Sequence, residues 1–418
     1  MSETGNWIVP QIDYGIPFWA KPPLSTWLSA ISISIFGENE FFVRLPSLIL
    51  SLLMAFFISK YIANKKLPFF LPCLILFSLP EFFLHAGVVS TDVSLSFSIM
   101  LIMISFWKIS EKRSLIWESL FIVGIAMGLI SKGPISIVLT FPPLFLWGLR
   151  FRLPIRKLFR ISWIFGLLLA LPWYFLIEKK SPGFTNYFIV GEHFLRFIDS
   201  SWAGDKYGFP KQQPYGIIWI FLILGTIPWV FSLLKKLIKN FTSIWDNKWE
   251  FFLWSWLLWT PLFFTISKSL IHTYILPVMV PLTLLVCHYW RNLKFKRFQL
   301  GISIFIPILI LISYSFKDIR ELVESKSDKA LIEEANNHFA PIYSLKVKSY
   351  SSQFYSKGKM KKIDFEELEN LIEDNNSFFI IIKENKIDSI ILETKNKLKN
   401  VYERSGKSLY SYNVSSKK

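Results

Sequence analysis

Long apolar runs recur from about residue 41 to about residue 315, and they limit the possible folds more than any other feature. A helix needs about 20 predominantly apolar residues to cross the hydrocarbon core of a bilayer. The chain also contains 41 Phe and 17 Trp among its 418 residues, which is more aromatic surface than a soluble domain could bury. We therefore predict an all-α polytopic membrane bundle of about ten spans.

The predicted spans alternate with loops of two kinds. Loops rich in Lys and Arg, such as 150–160 and 235–239, alternate with loops that are poorer in both residues. Basic loops stay cytoplasmic, so the other loops and both chain ends are expected on the outer side. The spans are predicted at about 41–63, 67–84, 93–107, 114–131, 134–149, 161–178, 215–234, 250–266, 271–290 and 298–315.

Much of the net charge of +17 lies in these short loops. A nucleic-acid-binding protein needs a continuous basic face, so we predict no nucleic-acid partner. Cys73 and Cys287 both lie inside apolar runs, where thiols usually behave as small buried hydrophobic groups. This placement argues against a disulfide framework.

The composition changes near residue 316 and divides the chain into three predicted regions. In the tail, "IYSLKVKSY" and "SFFIIIKEN" have the pattern of short strands, and "DFEELENLIED" that of an amphipathic helix. We predict a transmembrane bundle over 41–315 and a small periplasmic α/β domain over 316–418. Residues 1–40 are expected to form an outer-face loop with interfacial helices, because "PPLSTWLSAISISIFG" is too short to span.

Several ionisable or polar groups are predicted to meet near the outer membrane edge. Charges there cost free energy unless they reach water, pair with one another or bind a ligand. Cations beside an apolar groove suit a lipid that carries a phosphate, and a carboxylate there can accept a proton from an incoming hydroxyl. The groups are Lys21, Asp92, Lys132, Glu192, His193, Arg196, Lys268, His272 and Tyr274.

Each of these residues also has a purely structural interpretation. Lys21 could be an interfacial anchor whose ammonium reaches water, and Asp92 could simply favour the amino terminus of its helix. Lys132 could be the tip of a hairpin, and His193 could be solvated or locally hydrogen-bonded. The sequence contains no metal-ligand spacing, glycine-rich phosphate loop or nucleophile elbow.

A series of segments, in order along the chain, resembles the lipid-linked-sugar glycosyltransferases of the protein-mannosyltransferase superfamily, which have the GT-C fold. Within that superfamily, the sequence is most similar to the bacterial aminoarabinose (lipid A) transferases. The resemblance extends from residue 4 to about residue 281. It rests on "TGNWIVPQIDYGIPFWAKPPLSTWLSAISISIFGENEFFVRLPS", "STDVSLSF", "GLISKGPISIVL", "LPWYFLI", "EHFLRF" and "SKSLIHTYILP".

The resemblance implies an enzyme of the bacterial inner membrane with its active site on the periplasmic side. It would transfer a sugar from a polyprenyl-phosphate donor to an acceptor such as lipid A, with inversion and without a cofactor. Lys21 would contact the donor phosphate. The other implied site residues are Asp92, in a supporting catalytic role, and Lys132, His193, Arg196 and Tyr274, which would bind substrate.

The chain departs from the family pattern at three places. The family has an acidic motif after a first transmembrane helix, ahead of "TGNW", and this sequence contains neither the helix nor the motif. Ala20 replaces a glutamate, and Gly191 replaces the first histidine of a family "HEH..RF" pattern. That glutamate and that histidine share a metal in the family, so no metal is expected here.

These departures leave alternative functions open. We expect a chain truncated at its amino terminus, which could be an active glycosyltransferase or an inactive remnant of one. A protein O-mannosyltransferase-like enzyme is a further alternative. A lipid transporter is disfavoured because the sequence shows no internal repeat. Neither the sugar nor the acceptor can be deduced from the sequence.

Overall fold

The computed structural model describes residues 1–62, 67–199, 202–207, 212–337, 340–387, 390, 392–404 and 406–414. It divides the chain into two compact units, Met1–Pro307 and Ile308–Lys418. We refer to them as unit 1 and unit 2.

Unit 1 is a helical bundle preceded by a small two-stranded sheet. The strands are β1 (Gln11–Asp13) and β2 (Ile16–Pro17), and π-helical turns cover Ile58–Ile62 and Asn186–Leu195. A 3₁₀ segment, His272–Val278, leads directly into one of the helices. The helices are α1 (Leu24–Phe36), α2 (Glu40–Phe57), α3 (Leu71–Ser78), α4 (Pro80–His85), α5 (Thr91–Glu111), α6 (Leu115–Lys132), α7 (Ile135–Arg150), α8 (Ile155–Leu158), α9 (Ile161–Lys180), α10 (Arg196–Ile198), α11 (Ile217–Thr226), α12 (Trp229–Lys239), α13 (Phe241–Asp246), α14 (Lys248–Phe264), α15 (Met279–Tyr289) and α16 (Lys296–Ser313).

Among the described residues, six helical segments are long and apolar enough to cross a membrane, or seven if the bent pair α11–α12 is one span. The chain is therefore an integral membrane protein, but the predicted count of about ten spans is not confirmed. One reason is proline, which cannot donate the helical hydrogen bond. Pro80 starts a new helix inside the predicted span 67–84, and α11 and α12 meet at Pro228 with a bend of 114°. Residue 63, the predicted end of the first span, lies outside the described residues.

The centre of the bundle is formed by α5 and by the segment His272–Asn292, each 83% buried within its most apolar stretch. Helix α5 packs along α6 and brings its first residues beside the start of the His272–Asn292 segment. Ser90 caps α5, because its hydroxyl accepts a hydrogen bond from the amide of Asp92 at 3.0 Å. This packing places one end of α5 at the cavity described below.

Unit 2 contains a mixed sheet covered on both faces. The strands lie in the order β4-β3-β5-β7-β6, with β3 parallel to β4 and β5, and β7 antiparallel to β5 and β6. The strands are β3 (Ile342–Leu345), β4 (Lys361–Ile363), β5 (Phe378–Lys383), β6 (Lys399–Arg404) and β7 (Lys407–Tyr412). The helices are α17 (Lys317–Glu324), α18 (Lys329–Asn336), α19 (Tyr350–Tyr355), α20 (Phe365–Glu373), α21 (Glu384–Ile387) and α22 (Leu392–Lys397).

In strand β5, the residues from Phe378 to Ile382 are all hydrophobic and do not alternate with polar residues. Phe378, Ile380 and Ile382 pack into one core, whereas Phe379 and Ile381 pack into the core on the opposite face. A strand covered on both sides has no solvent-facing positions, so every residue can be hydrophobic. The predicted strand in "SFFIIIKEN" and the predicted helix in "DFEELENLIED" are both present. The chain is thus mostly helical, with a small sheet region in its carboxy-terminal part.

Candidate functional site

One end of the bundle contains a cavity of about 80 Å³ that is partly open to solvent. All six residues assigned to a site from the sequence line it, namely Lys21, Asp92, Lys132, His193, Arg196 and Tyr274. They come from five separate segments of unit 1. The lining is completed by Leu95, Ile135, Leu139, Glu192, Phe197, Phe264, Ser267 and Ser269.

Asp92 and Lys132 form an ion pair on one side of the cavity. Asp92 lies in the first turn of α5, and Lys132 is the last residue of α6. An anion at a helix amino terminus and a cation at a carboxy terminus are each favoured by the helix dipole. The Lys132 ammonium donates to Asp92 Oδ1, and the Thr273 hydroxyl donates to Asp92 Oδ2 at 3.0 Å. The pair is buried, so its charges are weakly screened.

The chain turns sharply just after Lys132. Gly133 has φ +74°, a backbone conformation that favours glycine, and Pro134 then precedes α7. A Cβ atom on Gly133 would lie 2.7 Å from the Phe188 ring. This tight turn fixes the Lys132 ammonium, which lies 4.1 Å from the centroid of the Tyr274 ring in a cation–π contact.

Lys21 lies on the other side of the cavity, in an extended segment between β2 and α1. The following Pro22 and Pro23 prevent a helix from continuing through it. Its ammonium lies 3.3 Å from Glu192 Oε2 and donates to the carbonyl oxygen of Ala20 at 2.7 Å. The Lys21 side chain is 29% exposed, so the ammonium remains accessible.

Glu192 connects Lys21 to Arg196. Arg196 Nη1 lies 3.1 Å from both carboxylate oxygens of Glu192, and the Tyr187 hydroxyl donates to Oε1 at 3.2 Å. Arg196 also lies 3.8 Å from Asp205 and donates from Nε to Ser269 at 3.3 Å. Burial raises the pKa of the Tyr187 hydroxyl, and the nearby Glu192 and Asp205 raise it further. Tyr187 therefore stays a hydrogen-bond donor at neutral pH.

His193 lines the cavity, but main-chain oxygens occupy its ring nitrogens. Nδ1 lies 2.8 Å from the Phe188 carbonyl oxygen, and Nε2 lies 2.9 Å from the Lys132 carbonyl oxygen. Burial lowers the pKa of His193, and these carbonyl contacts oppose the shift without cancelling it. The two carbonyl contacts place the ring between the Lys132 turn and the Asn186–Leu195 segment. This geometry suits a positioning role better than direct contact with a ligand phosphate.

The remaining wall of the cavity is apolar. Leu95, Ile135, Leu139, Phe197 and Phe264 supply it. An apolar wall beside a cluster of cations can accommodate a ligand that has an anionic headgroup and a hydrocarbon tail. The cavity therefore has the chemistry to bind a lipid phosphate.

Two residues important for this geometry were not assigned to the site from the sequence. Glu192 was noted only as an outer-edge charge, although its spacing of four residues from Arg196 indicates a pair on one helical face. No sequence pattern indicated a role for Thr273, because that role depends on its hydrogen bond to Asp92, which lies 181 residues earlier in the chain.

The resemblance implies metal ligands at the positions of Ala20 and Gly191. Ala20 and Gly191 lack ligating atoms, and the ring of Trp202 overlaps the place where a Cβ atom on Gly191 would lie. A larger residue at 191 does not fit this loop. Neither position therefore supplies the side-chain ligand that the resemblance implies for it.

The fold and the cavity together define a polytopic membrane protein with the chemistry to hold an amphipathic phosphate. Comparison with known proteins identifies its relatives. Residues 1–188 match the model of the dolichyl-phosphate-mannose-protein mannosyltransferase family. This finding confirms the predicted resemblance to the protein-mannosyltransferase superfamily.

The curated relatives agree with this assignment. The undecaprenyl phosphate-alpha-4-amino-4-deoxy-L-arabinose arabinosyl transferase of Wigglesworthia glossinidia brevipalpis is 30% identical over 322 residues, which cover 74% of this chain and 56% of that protein. The enzyme of the same name from Yersinia enterocolitica is 29% identical over 305 residues, which cover 69% and 52%. The chain thus spans about half the length of the curated relatives it matches.

Solved structures show the same fold. The crystal structure of ArnT from Cupriavidus metallidurans bound to undecaprenyl phosphate has a TM-score of 0.78 and 14% identity, and the match covers 98% of this chain and 91% of that one. The apo state of the same protein gives a TM-score of 0.76 and 15% identity. The curated relatives confirm the resemblance to aminoarabinose transferases that was predicted from the sequence, and the solved structures show the shared fold.

Proposed function

We propose that the chain is a glycosyltransferase that moves a sugar from a polyprenyl-phosphate donor to an acceptor at the membrane surface. The observation that carries this proposal is the convergence of Lys21, Lys132 and Arg196 on one cavity with an apolar wall. The names of the curated relatives and the lipid bound in the related crystal structure support the same donor class.

The charge change during transfer explains the need for several cations. In the donor, the phosphate joins the sugar to the lipid and carries one negative charge. When the bond between the anomeric carbon and the phosphate oxygen breaks, its electron pair remains on the phosphate, which becomes a dianion. Cations already in place stabilise this developing charge without reorganisation at the moment of reaction. Attack from the opposite face of the sugar gives inversion.

The cavity carboxylates orient the cations. Glu192 contacts both Lys21 and Arg196, whereas Asp92 contacts Lys132 and Thr273. The oxygens of both carboxylates are therefore already engaged by donors of this protein. Among the described residues, the two carboxylates that line the cavity are thus better placed to position the donor than to remove a proton.

Because both carboxylates are engaged in this way, we favour an acceptor that is already anionic. A phosphate on lipid A can attack without prior loss of a proton, whereas a protein hydroxyl needs a base more strongly. We therefore favour lipid A over a protein acceptor, although the family model takes its name from protein mannosylation. The specific sugar is proposed only by analogy with the curated relatives.

The direction of the helices supports a periplasmic location for the cavity. Helix α5 begins at the cavity with Asp92 and ends beside Lys108, and α7 begins near the cavity and ends at Arg150. The basic loops therefore lie at the ends away from the cavity. Because basic loops stay cytoplasmic, we place the cavity on the periplasmic side of the bacterial inner membrane.

Replacing Lys21 tests this proposal. Transfer from a radiolabelled polyprenyl-phosphate sugar to lipid A would be measured with purified protein in lipid nanodiscs. We expect Lys21→Ala to lower turnover by about 10²–10³-fold, which is typical for loss of one donor to a developing negative charge. Lys21→Arg should retain part of the activity, since it keeps the charge but changes its geometry.

The matched control is Lys108→Ala. Lys108 lies in the last turn of α5, far along the helix from Asp92, and pairs with the exposed Glu111. The Lys108→Ala variant should retain full turnover. Equal turnover in Lys21→Ala and Lys108→Ala would remove Lys21 from the donor site, and no transfer by the unaltered chain would overturn the proposed activity.

A further inference from the structure

Glu81, His85 and His272 form a second cluster of ligating side chains, separate from the lining of the cavity. One possible metal-ligand atom from each residue lies within 4.8 Å of those of the other two. Glu81 and His85 are four residues apart on α4 and therefore lie on the same helical face. His272 is the first residue of the 3₁₀ segment, 191 residues away from Glu81.

Both histidines approach the same oxygen of the Glu81 carboxylate. His272 Nδ1 lies 2.8 Å from Glu81 Oε1, and His85 Nδ1 lies 3.2 Å from that oxygen. The two imidazole rings have centroids 5.1 Å apart. The three side chains are thus close enough for one cation to contact all of them after small side-chain movements.

A main-chain contact fixes the orientation of His85. Its Nδ1 also lies 2.8 Å from the carbonyl oxygen of Glu81, which can only accept a hydrogen bond. This bond places the ring proton on Nδ1 and leaves Nε2 with a lone pair. A metal-binding imidazole usually donates its other ring N–H to a carbonyl or carboxylate oxygen, which fixes its tautomer and orientation.

Helix α11 closes one side of the cluster. A Cβ atom on Gly225 would lie 2.8 Å from Glu81 Cβ and 2.7 Å from Ile275, so glycine is needed for this close approach. The ring of Phe221 lies edge-on to His272, with centroids 6.3 Å apart. The Glu81 side chain is 9% exposed, whereas that of His272 is 54% exposed, which leaves a route for an ion from solvent.

We propose that Glu81, His85 and His272 bind a divalent transition-metal ion of the zinc type. Two imidazoles and one carboxylate are a ligand set that zinc accepts, with a water or other ligand completing four-coordinate geometry. Zinc ligands at 2.0–2.2 Å from a tetrahedral ion lie about 3.3 Å from one another. The side chains therefore need to draw together by about 1.5 Å at most, which rotation of the exposed His272 ring can supply.

The ion would join α4 to the His272–Val278 segment. Thr273 and Tyr274 follow His272 directly and contact Asp92 and Lys132, respectively. Holding His272 would fix this edge of the cavity. Metal binding itself does not depend on the proposed transfer reaction, so the two proposals can fail separately.

The test uses the full chain, purified in detergent and stripped with a chelator. Cobalt(II) would be titrated while visible absorption is recorded, and zinc would be counted by elemental analysis after desalting. We expect one ion per chain and the intense visible bands of four-coordinate cobalt. His272→Ala and His85→Ala should each weaken metal binding by more than about 100-fold, because the loss of a group that only orients a ligand already costs about 10- to 100-fold.

The matched control is His288→Ala. His288 Nε2 lies 3.0 Å from Glu250 Oε1, so it is also a histidine paired with a glutamate, but it does not belong to the three-residue cluster. This variant should bind metal as the unaltered chain does. Equal binding by the unaltered chain and His272→Ala, or no binding by the unaltered chain, would overturn the proposal.

Thermal unfolding provides a second measurement. Added zinc should raise the Tm of the unaltered chain, because an ion that binds only the folded state stabilises it. The increase should be absent in His272→Ala, whose exposed side chain can be removed without leaving a buried cavity. A zinc-dependent increase of equal size in that variant would contradict the assigned ligands.

Discussion

Two buried aspartate–lysine pairs, one in each unit, have similar hydrogen-bond donors but different surroundings. In unit 1, Asp92 accepts from Lys132 and from the Thr273 hydroxyl. In unit 2, Asp328 accepts from Lys407 and from the hydroxyls of Ser349 and Ser352. Asp92 is 5% exposed and Asp328 is 3% exposed, so burial alone does not distinguish them.

The surroundings of the two pairs give them different roles. Lys132 lines a cavity that Lys21 and Arg196 also line, and it contacts the Tyr274 ring. Asp328 instead joins the start of α18, the amino-terminal cap of α19 and the start of β7. A buried ion pair is therefore weak evidence for a site, whereas several cations around one cavity are stronger evidence.

The largest expected effect is on the stability of unit 2. Lys407→Met should lower its free energy of unfolding by about 3–5 kcal/mol, because Asp328 would remain buried without its cation. All 17 Trp precede residue 308, so Trp fluorescence reports only on unit 1. Hydrogen exchange of β5 and β7 in the full chain is the suitable measurement.

The control for this variant is Lys397→Met. Lys397 pairs with Glu393 at 2.9 Å, but these side chains are 47% and 80% exposed. An exposed pair contributes about 0–1 kcal/mol, so exchange should barely change. If β5 and β7 were equally protected from hydrogen exchange in Lys407→Met and Lys397→Met, the Asp328–Lys407 pair would not stabilise unit 2.

The next effect concerns catalysis. Lys132→Met should lower transfer by about 10²–10³-fold per folded molecule, as expected for loss of a cation at the leaving phosphate. The double variant Asp92→Asn/Lys132→Met removes the unpaired charge and should recover stability without recovering transfer. Lys407→Met should keep its turnover per folded molecule. If the double variant recovered transfer, the Asp92–Lys132 pair would have only a structural role, like the Asp328–Lys407 pair.

Removing one hydroxyl donor from each pair should have a smaller effect. A hydrogen bond to a charged group contributes about 1.5–3 kcal/mol. Ser352→Ala should therefore lower the stability of unit 2 and leave turnover unchanged, whereas Thr273→Val should lower turnover by about 10-fold or more. Hydrogen exchange of unit 2 and the sugar-transfer assay would be measured for both variants. An equal loss of turnover in the two variants would contradict the division of roles.

The smallest expected effect is on pH dependence. Burial alone raises the pKa of Asp328, but hydrogen bonds from Lys407, Ser349 and Ser352 outweigh this and hold the pKa below its ordinary value of 3.8. Its contribution to stability is therefore present above that value and is lost as the pH falls toward the lower folded-state pKa. Hydrogen exchange of β7 should show weakening below about pH 4. Lys407→Met should not show this acid weakening, because protonation relieves the cost of its unpaired buried carboxylate.

Sequence reasoning located the charged ends of the helices but not their partners. Helix polarity and loop charge place Asp92, Lys132 and Tyr274 near one face, because each lies at a predicted span end. The pairing of Lys21 with Glu192 joins residues 171 positions apart and depends on tertiary packing. Linear spacing carries no information about such contacts.

The helix count was harder to predict because apolar composition and helix continuity are different properties. The run 215–234 is apolar throughout, yet it forms α11 and α12 at a sharp angle. In unit 2, the sequence indicated the buried strand β5 from its apolar residues. It could not indicate the strand order, because parallel pairing of β3 with β5 is set by packing across the sheet.

The indole of Trp202 lies against two glycines, Gly191 and Gly204, and overlaps the space that a side chain at either position would need. We therefore expect the effects of substitutions at these three positions to depend on one another. A homologue with histidine at the first position should have a smaller residue in place of the tryptophan. Introducing a metal-binding side chain at residue 191 therefore also requires a smaller residue in place of Trp202. Introducing that side chain alone would displace the segment that bears Glu192.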